Sequence, residues 1–189
     1  MVDLRIEINQ QQLAAFRSRI DEKRIARAAR RAGNDGMEEA QRAAVAYVRT
    51  KKRIKESTIE RRLSVVLPSN RAGLAAMRWG LKVSPRPISL GSYPSTQTPL
   101  GVTAEVNVGQ TFLLRHAFIQ TVRGGFRGVF ERQGPGAPRD PIKSLVGSGV
   151  GDVLRDAAAG EAIQQAFQSA TAAALSRYLE QEATQGGGG

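Results

Sequence analysis

The sequence predicts an α+β fold: a central, mostly antiparallel sheet or small sandwich flanked by a basic N-terminal helical arm and a C-terminal amphipathic helix. Three observations predict it. Residues 13–52 are mostly strong helix formers, Ala, Arg, Gln and Glu. Residues 64–150 change to short apolar runs cut by Gly and Pro. Residues 160–183 return to helical spacing of apolar positions. A chain of 189 residues suffices for one core with appendages.

Val2, Leu4, Ile6 and Ile8 alternate with polar neighbours, the period of a half-buried strand. The arm follows, with Ile25, Ala29, Ala40, Ala44 and Val48 at helical spacing. Gly33-Asn34-Asp35-Gly36 combines four turn formers, so a kink or a split into two helices is expected there. Strands are expected over 64–67, 79–83, 102–108 and 126–132. In the third of these Val102, Ala104, Val106 and Val108 face one way, so that face is core and the other is wet. Loops are expected around Pro85-Arg86-Pro87, over 94–99 and over 134–141. Ile163, Phe167, Ala170, Ala174 and Tyr178 share one stripe of the last helix, which should pack on the sheet. The expected organisation is therefore a strand and basic arm (1–63), a β-rich body (64–158), a C-terminal helix (159–185) and a flexible glycine tail (186–189).

Lys and Arg number 28 against 17 Asp and Glu, a net charge of +11 that favours anionic partners. The charge is unevenly spread. Residues 1–63 hold 16 basic and 9 acidic side chains, residues 64–158 hold 11 and 5, and the remainder is net acidic, so the positive field belongs to the arm and body. The densest run is Arg49, Lys51, Lys52, Arg53, Lys55, Arg61 and Arg62, expected as a surface face. Arg24, Arg27 and Arg31 repeat the theme at helical spacing upstream. These ten are the candidate interface or DNA-facing residues; simple solvation is the alternative. Aromatic residues are not interleaved with the charges, which argues against base stacking on single strands.

The absence of Cys removes disulfides, thiolate nucleophiles and Cys-containing zinc sites. With one histidine, transition-metal ligation lacks donors, and His116 is expected as a structural or interface residue rather than a catalytic base. Asp152 and Asp156 are four apart on a possible helix, where a solvated face explains them. Gly147-Ser148-Gly149-Val150-Gly151 has the look of a phosphate loop but lacks the Lys-Ser/Thr ending. No catalytic residue, metal or cofactor is expected, and the chain is not expected to be an enzyme. Asp3, Arg5 and Glu7 stand where a signal peptide needs apolar residues, and no apolar run reaches a membrane span, so the expected site of synthesis and assembly is the cytoplasm.

Several segments, in order, carry a resemblance: Arg49-Thr50-Lys51-Lys52-Arg53-Ile54-Lys55 and Thr58-Ile59-Glu60-Arg61-Arg62-Leu63; Arg86-Pro87-Ile88-Ser89-Leu90 and Leu100-Gly101-Val102; then His116-Ala117-Phe118-Ile119, Gly128-Val129-Phe130-Glu131-Arg132 and Pro141-Ile142-Lys143-Ser144-Leu145-Val146-Gly147. Together they resemble the bacteriophage minor tail protein Z (tail completion) family across about residues 24–154, although the Gly33 to Gly36 break departs from it. The resemblance implies a structural role in tail completion and head–tail joining at the neck end of the tail. It implies tail terminator, tail tube and head–tail connector proteins as partners, a ring of six copies in the virion, and non-specific DNA contact in the tail lumen; the lack of a long apolar run leads to no membrane being expected as a partner. It also marks Phe118, Arg132, Pro141 and Ile142 as candidate docking residues. The rivals are a basic DNA-binding protein with a phosphate-contacting arm, which has no recognisable DNA-reading motif, and a ribosome-type RNA binder, which the acidic last helix does not suit.

Overall fold

The structure, a computed structural model, describes residues 2–4, 20–122, 124–132 and 142–186, with the backbone alone for 2–4, 185 and 186. It is α+β, as expected. The chain groups into two compact units that cut across the three linear segments: Met1–Ala44, Leu63–Val83 and Ala157–Gly189 form the first, Val45–Arg62 and Ser84–Asp156 the second.

The first unit is built on two long helices, α1 (Glu22–Lys51), whose last turns belong to the second unit, and a C-terminal helix (Ala157–Gly186). Asp21 starts α1 by accepting the Arg24 amide at 2.8 Å, which satisfies one of the unpaired first-turn donors. The helix then runs unbroken through Gly33-Asn34-Asp35-Gly36, contrary to the expected kink. The reason is packing. A Cβ at Gly33 would overlap the Trp79 indole, and one at Gly36 would overlap the Thr171 hydroxyl and press on the Phe167 carbonyl. Asn34 accepts the Trp79 ring N–H at 3.1 Å, and Asp35 accepts from Arg177 and Tyr178, both at 2.9 Å. Local helix propensity disfavours these four residues, but tertiary contacts outweigh a cost of about 1 kcal/mol per glycine.

Three strands complete the unit, β1 (Val2–Leu4), β2 (Leu63–Val66) and β3 (Trp79–Val83), antiparallel in the order β1-β3-β2. The first strand was expected to reach Ile8, and residues 5–8 lie outside the described residues. Trp79 on β3 is 1% exposed and meets Phe167 of the C-terminal helix at 6.0 Å between ring centroids, so that helix packs on the sheet side of its unit. Its buried stripe is Ile163, Phe167, Thr171, Ala174, Leu175 and Leu179. Ala170 and Tyr178, expected on the stripe, are only half-buried, because the apolar line turns with Thr171 and Leu175. The helix also begins earlier than expected, at Ala157, and ends at Gly186; residues 187–189 lie outside the described residues.

The second unit contains a short helix α2 (Glu56–Glu60) and strands β4 (Ile88–Ser89), β5 (Ser95–Thr98), β6 (Gly101–Asn107), β7 (Gln110–Arg115), β8 (Ala117–Val122), β9 (Phe126–Arg132), β10 (Ile142–Ser144) and β11 (Val146–Gly147), then α3 (Val150–Val153). The C-terminal helix is α4. Instead of one central sheet the unit has three small antiparallel ones, β5-β6-β7, β10-β9-β8 and β11-β4. The segment 94–99, expected as a loop, contains β5, and residues 133–141 lie outside the described residues. On β6 the inward residues Val102, Ala104 and Val106 are buried, but Val108 is 46% exposed because the strand ends at Asn107 and turns through Gly109. Val129 and Phe130 of β9, Ile88, Leu90 and Tyr93 add to this core.

Candidate functional site

Residues 49–62 leave the end of α1 as a short extended piece and return as α2, anchored by two buried side chains, Ile54 and Ile59. With these two pointing in, the intervening cations point out. Arg53 and Val108 tie this piece to β6 and its turn: the Arg53 amide donates to the Val106 carbonyl and the Val108 amide to the Lys51 carbonyl, both at 3.1 Å. Lys52 is the exception among the expected surface charges. Its ammonium is drawn inward, donating to Asn107 Oδ1 at 2.6 Å and Ser148 Oγ at 2.5 Å. Burial lowers its pKa below the ordinary lysine value, against the opposing pull of the Asp152 carboxylate.

The Ser148 carbonyl in turn accepts the Tyr93 hydroxyl at 2.6 Å, and Asp152 accepts the Gly149 amide at 2.9 Å. Tyr93 is 3% exposed, and burial, with the Asp152 charge adding to it, pushes its pKa up to about 12. Within the loop 147–151, Ser148 and Gly149 therefore spend these polar groups inside the unit. Asp156 accepts the Tyr47 hydroxyl at 2.6 Å, which raises the Tyr47 pKa above its ordinary value. His116 is exposed in the β7–β8 turn with φ +63.

On this platform lies an open cleft of about 1330 Å³, contained in the second unit. Arg49, Lys52, Arg53, Lys55, Arg61, Arg62 and Arg127 line it together with Ser, Thr, Tyr, Phe, Pro, Gly and Ile residues, and among the described residues no carboxylate does. Arg49 pairs with Glu56 at 3.0 Å and Arg53 with Glu105 at 3.4 Å, exposed or half-exposed contacts that orient the cations more than they neutralise them. Among the described residues Lys55, Arg61, Arg62 and Arg127 make no ion pair. The Ser95 hydroxyl on the lining is buried without a hydrogen-bond partner.

Six of the seven residues of the basic run thus sit on one surface, and Lys51 stands apart with its ammonium over the Tyr47 ring at 5.9 Å. Arg127 was not expected. It reaches the cleft because Gly124 and Gly125, at φ +95 and +79, reverse the chain between β8 and β9, and no local pattern distinguishes it from Arg115 or Arg132. The upstream stripe turns elsewhere. Arg24 and Arg27 donate to the Glu182 carbonyl and carboxylate at 3.3 and 3.4 Å, and Arg31 lies over the Tyr178 ring at 5.2 Å, so all three meet α4. Of the docking residues, Phe118, Arg132 and Ile142 come together on the β10-β9-β8 sheet: Arg132 lies 5.7 Å from the Phe118 ring centre and is paired in register with Ile142. Pro141 lies outside the described residues.

Among the described residues no three metal-ligating side chains gather, and no helix is long and apolar enough to cross a membrane. No protein-family model, curated protein or solved structure matches the chain.

Proposed function

We propose that the chain is a non-catalytic assembly protein that grips an extended polyanion in its cationic cleft, in the setting the tail-completion resemblance implies: joining a phage tail to a filled head at the neck, next to the DNA that passes there. The observation that carries the polyanion is the cleft lining, which among the described residues has seven cations and no carboxylate. Such a surface accumulates phosphate groups by releasing their counterions. Its width and openness suit a macromolecule better than a small ligand, whose site would be apolar and enclosed. Nothing in the lining projects a helix or ribbon able to read base edges, so the grip is sequence-blind. The same cleft also serves the rival, a free-standing DNA-binding protein that never enters a virion.

The test uses the triple variant Arg61→Gln, Arg62→Gln, Arg127→Gln, which spares Lys52 and its hydrogen bonds. Duplex DNA affinity, followed by anisotropy across a salt series, falls at least tenfold, and the slope against salt drops by about 2–3. Unchanged binding removes the cleft from the reading. Complementation of a null phage by the variant then separates the two settings. Separate tails and filled heads are expected from a tail-completion protein, and wild-type titres despite lost DNA binding would sink that role.

A further inference from the structure

The β5-β6-β7 sheet has two outer edges, and they are finished differently. On β5, prolines 94 and 99 flank the strand and the Gln97 side chain accepts the Ile119 amide of β8 at 2.8 Å, so that edge is guarded against strand addition. On β7 none of the usual protections is present among the described residues. The strand Gln110-Thr111-Phe112-Leu113-Leu114-Arg115 has no proline, and its single charge stands at the end. The register irregularity between Glu105 and Asn107 lies at the hairpin end, leaving five consecutive regular pairs from Thr111 to Arg115. Phe112 and Leu113 are 39% and 40% exposed, one on each face. Apolar, regular, unguarded edges are the ones that pair with another strand.

We propose that β7 is a self-association edge, at which a second copy of this chain adds its own β7 antiparallel to form a continuous six-stranded sheet. The strand's own pattern argues for a second copy as occupant. A dyad perpendicular to the sheet keeps each side chain on its own face, so only registers that pair odd with odd and even with even residues are allowed. Centring the dyad on Leu113 sets Leu113 against Leu113, Phe112 against Leu114 and Thr111 against Arg115 of the second copy. The apolar residues then meet apolar residues, and the only charge faces a hydroxyl rather than its own copy. Phe112 and Leu114 also line a pocket of about 310 Å³ with Leu90, Val106, Leu145 and Val146, beside Asn107 and Ser148, and the second copy's Phe112 and Leu114 extend its apolar floor. Because β5 is blocked, this sheet pairs edge to like edge and cannot continue head to tail, so the contact closes at two copies. The inference does not depend on what the cationic cleft binds.

The full chain is tested at physiological salt, where its net charge is screened. In sedimentation equilibrium the apparent mass should rise from monomer toward dimer with concentration. Leu113→Lys places two ammonium groups face to face at the dyad and should weaken this association by about tenfold or more, with circular dichroism unchanged because the side chain is exposed. The chain has no cysteine, so Leu113→Cys, treated with a short bismaleimide, should give a covalent dimer, whereas Leu67→Cys, 51% exposed in the first unit, should not. A wild type that stays monomeric at every concentration overturns the proposal. So does a dimer indifferent to Leu113→Lys, or equal crosslinking at both cysteine positions.

Discussion

The two units divide the same kind of residue between two uses. The first holds 13 basic and 10 acidic side chains, the second 15 and 7, and the difference lies in where the acids are. In the first unit Arg27 meets Glu182, Arg177 meets Asp35, and Arg42 meets Glu38 and Glu39, while Arg31 lies over Tyr178. Arginine there helps hold helices together. In the second unit four cations of the cleft have no such partner among the described residues, and their repulsion is tolerated because Ile54, Ile59 and the Lys52 hydrogen bonds fix the chain that carries them. An arginine-rich stretch is thus structural or functional according to whether a carboxylate comes within reach, which the stretch itself does not encode.

If the first unit is held by packing and the second presents charge, substitutions should separate the two. The largest effect is expected at Trp79. Replacing it by Ala removes the side chain that fills the space at Gly33 and against Phe167 and should cost about 3–5 kcal/mol in chemical denaturation. Gly33→Ala approaches the same contact from the other side. Alanine favours a helix, yet here its methyl collides with the indole, so a loss of about 1–3 kcal/mol is expected instead of a gain. Trp79 is the only tryptophan, and its emission reports this unit directly. A stabilised Gly33→Ala variant would show that the helix does not need the close approach.

Tyr93→Phe is expected to cost about 1 kcal/mol at neutral pH, since the Ser148 carbonyl loses its donor. Its sharper signature is at alkaline pH. With the folded pKa raised to about 12 from 10.0, the stability that Tyr93 contributes is fully present below pH 10 and is lost as pH rises through about 12. Over that window the wild type should lose up to about 1.4 kcal/mol per pH unit from this group, a slope missing from the variant. Denaturant melts at stepped pH measure it; equal slopes would mean that the hydroxyl is not buried in solution.

The smallest effect on stability is expected where the effect on binding is largest. The Arg61, Arg62 and Arg127 triple Gln variant should unfold within about 0.5 kcal/mol of wild type, because surface charges without an ion pair among the described residues contribute little to folding. A large destabilisation would erase the distinction between the units.

Much of this was legible in the chain. The α+β class follows from the helix-former content and apolar spacing of successive segments, and β3 and β9 lie where apolar runs flanked by Gly and Pro put them. The cations from Arg49 to Arg62 were visible as a run, because a linear run folded around two buried isoleucines remains one surface. What failed was non-local. Gly33 and Gly36 look like helix breakers until Trp79 and Phe167 are placed against them. Arg24, Arg27 and Arg31 look free until Glu182 is brought across from α4. Ala-rich α4 offers two nearly equal stripes, and the choice of Thr171 and Leu175 over Ala170 and Tyr178 is made by its neighbours. β7 escaped notice because a strand exposed on both faces shows no alternation.

The interleaved chain path has a consequence for synthesis. The second unit's residues are all made once Asp156 has left the ribosome, whereas the first unit lacks α4 until synthesis has passed Leu179. During that interval the Trp79 ring has no Phe167 beside it, and α1 at Gly36 has neither Phe167 nor Thr171 against it. The apolar surface that matters most for stability is therefore the last to be covered on the nascent chain, and chaperone dependence in the cell should track how quickly the final helix emerges.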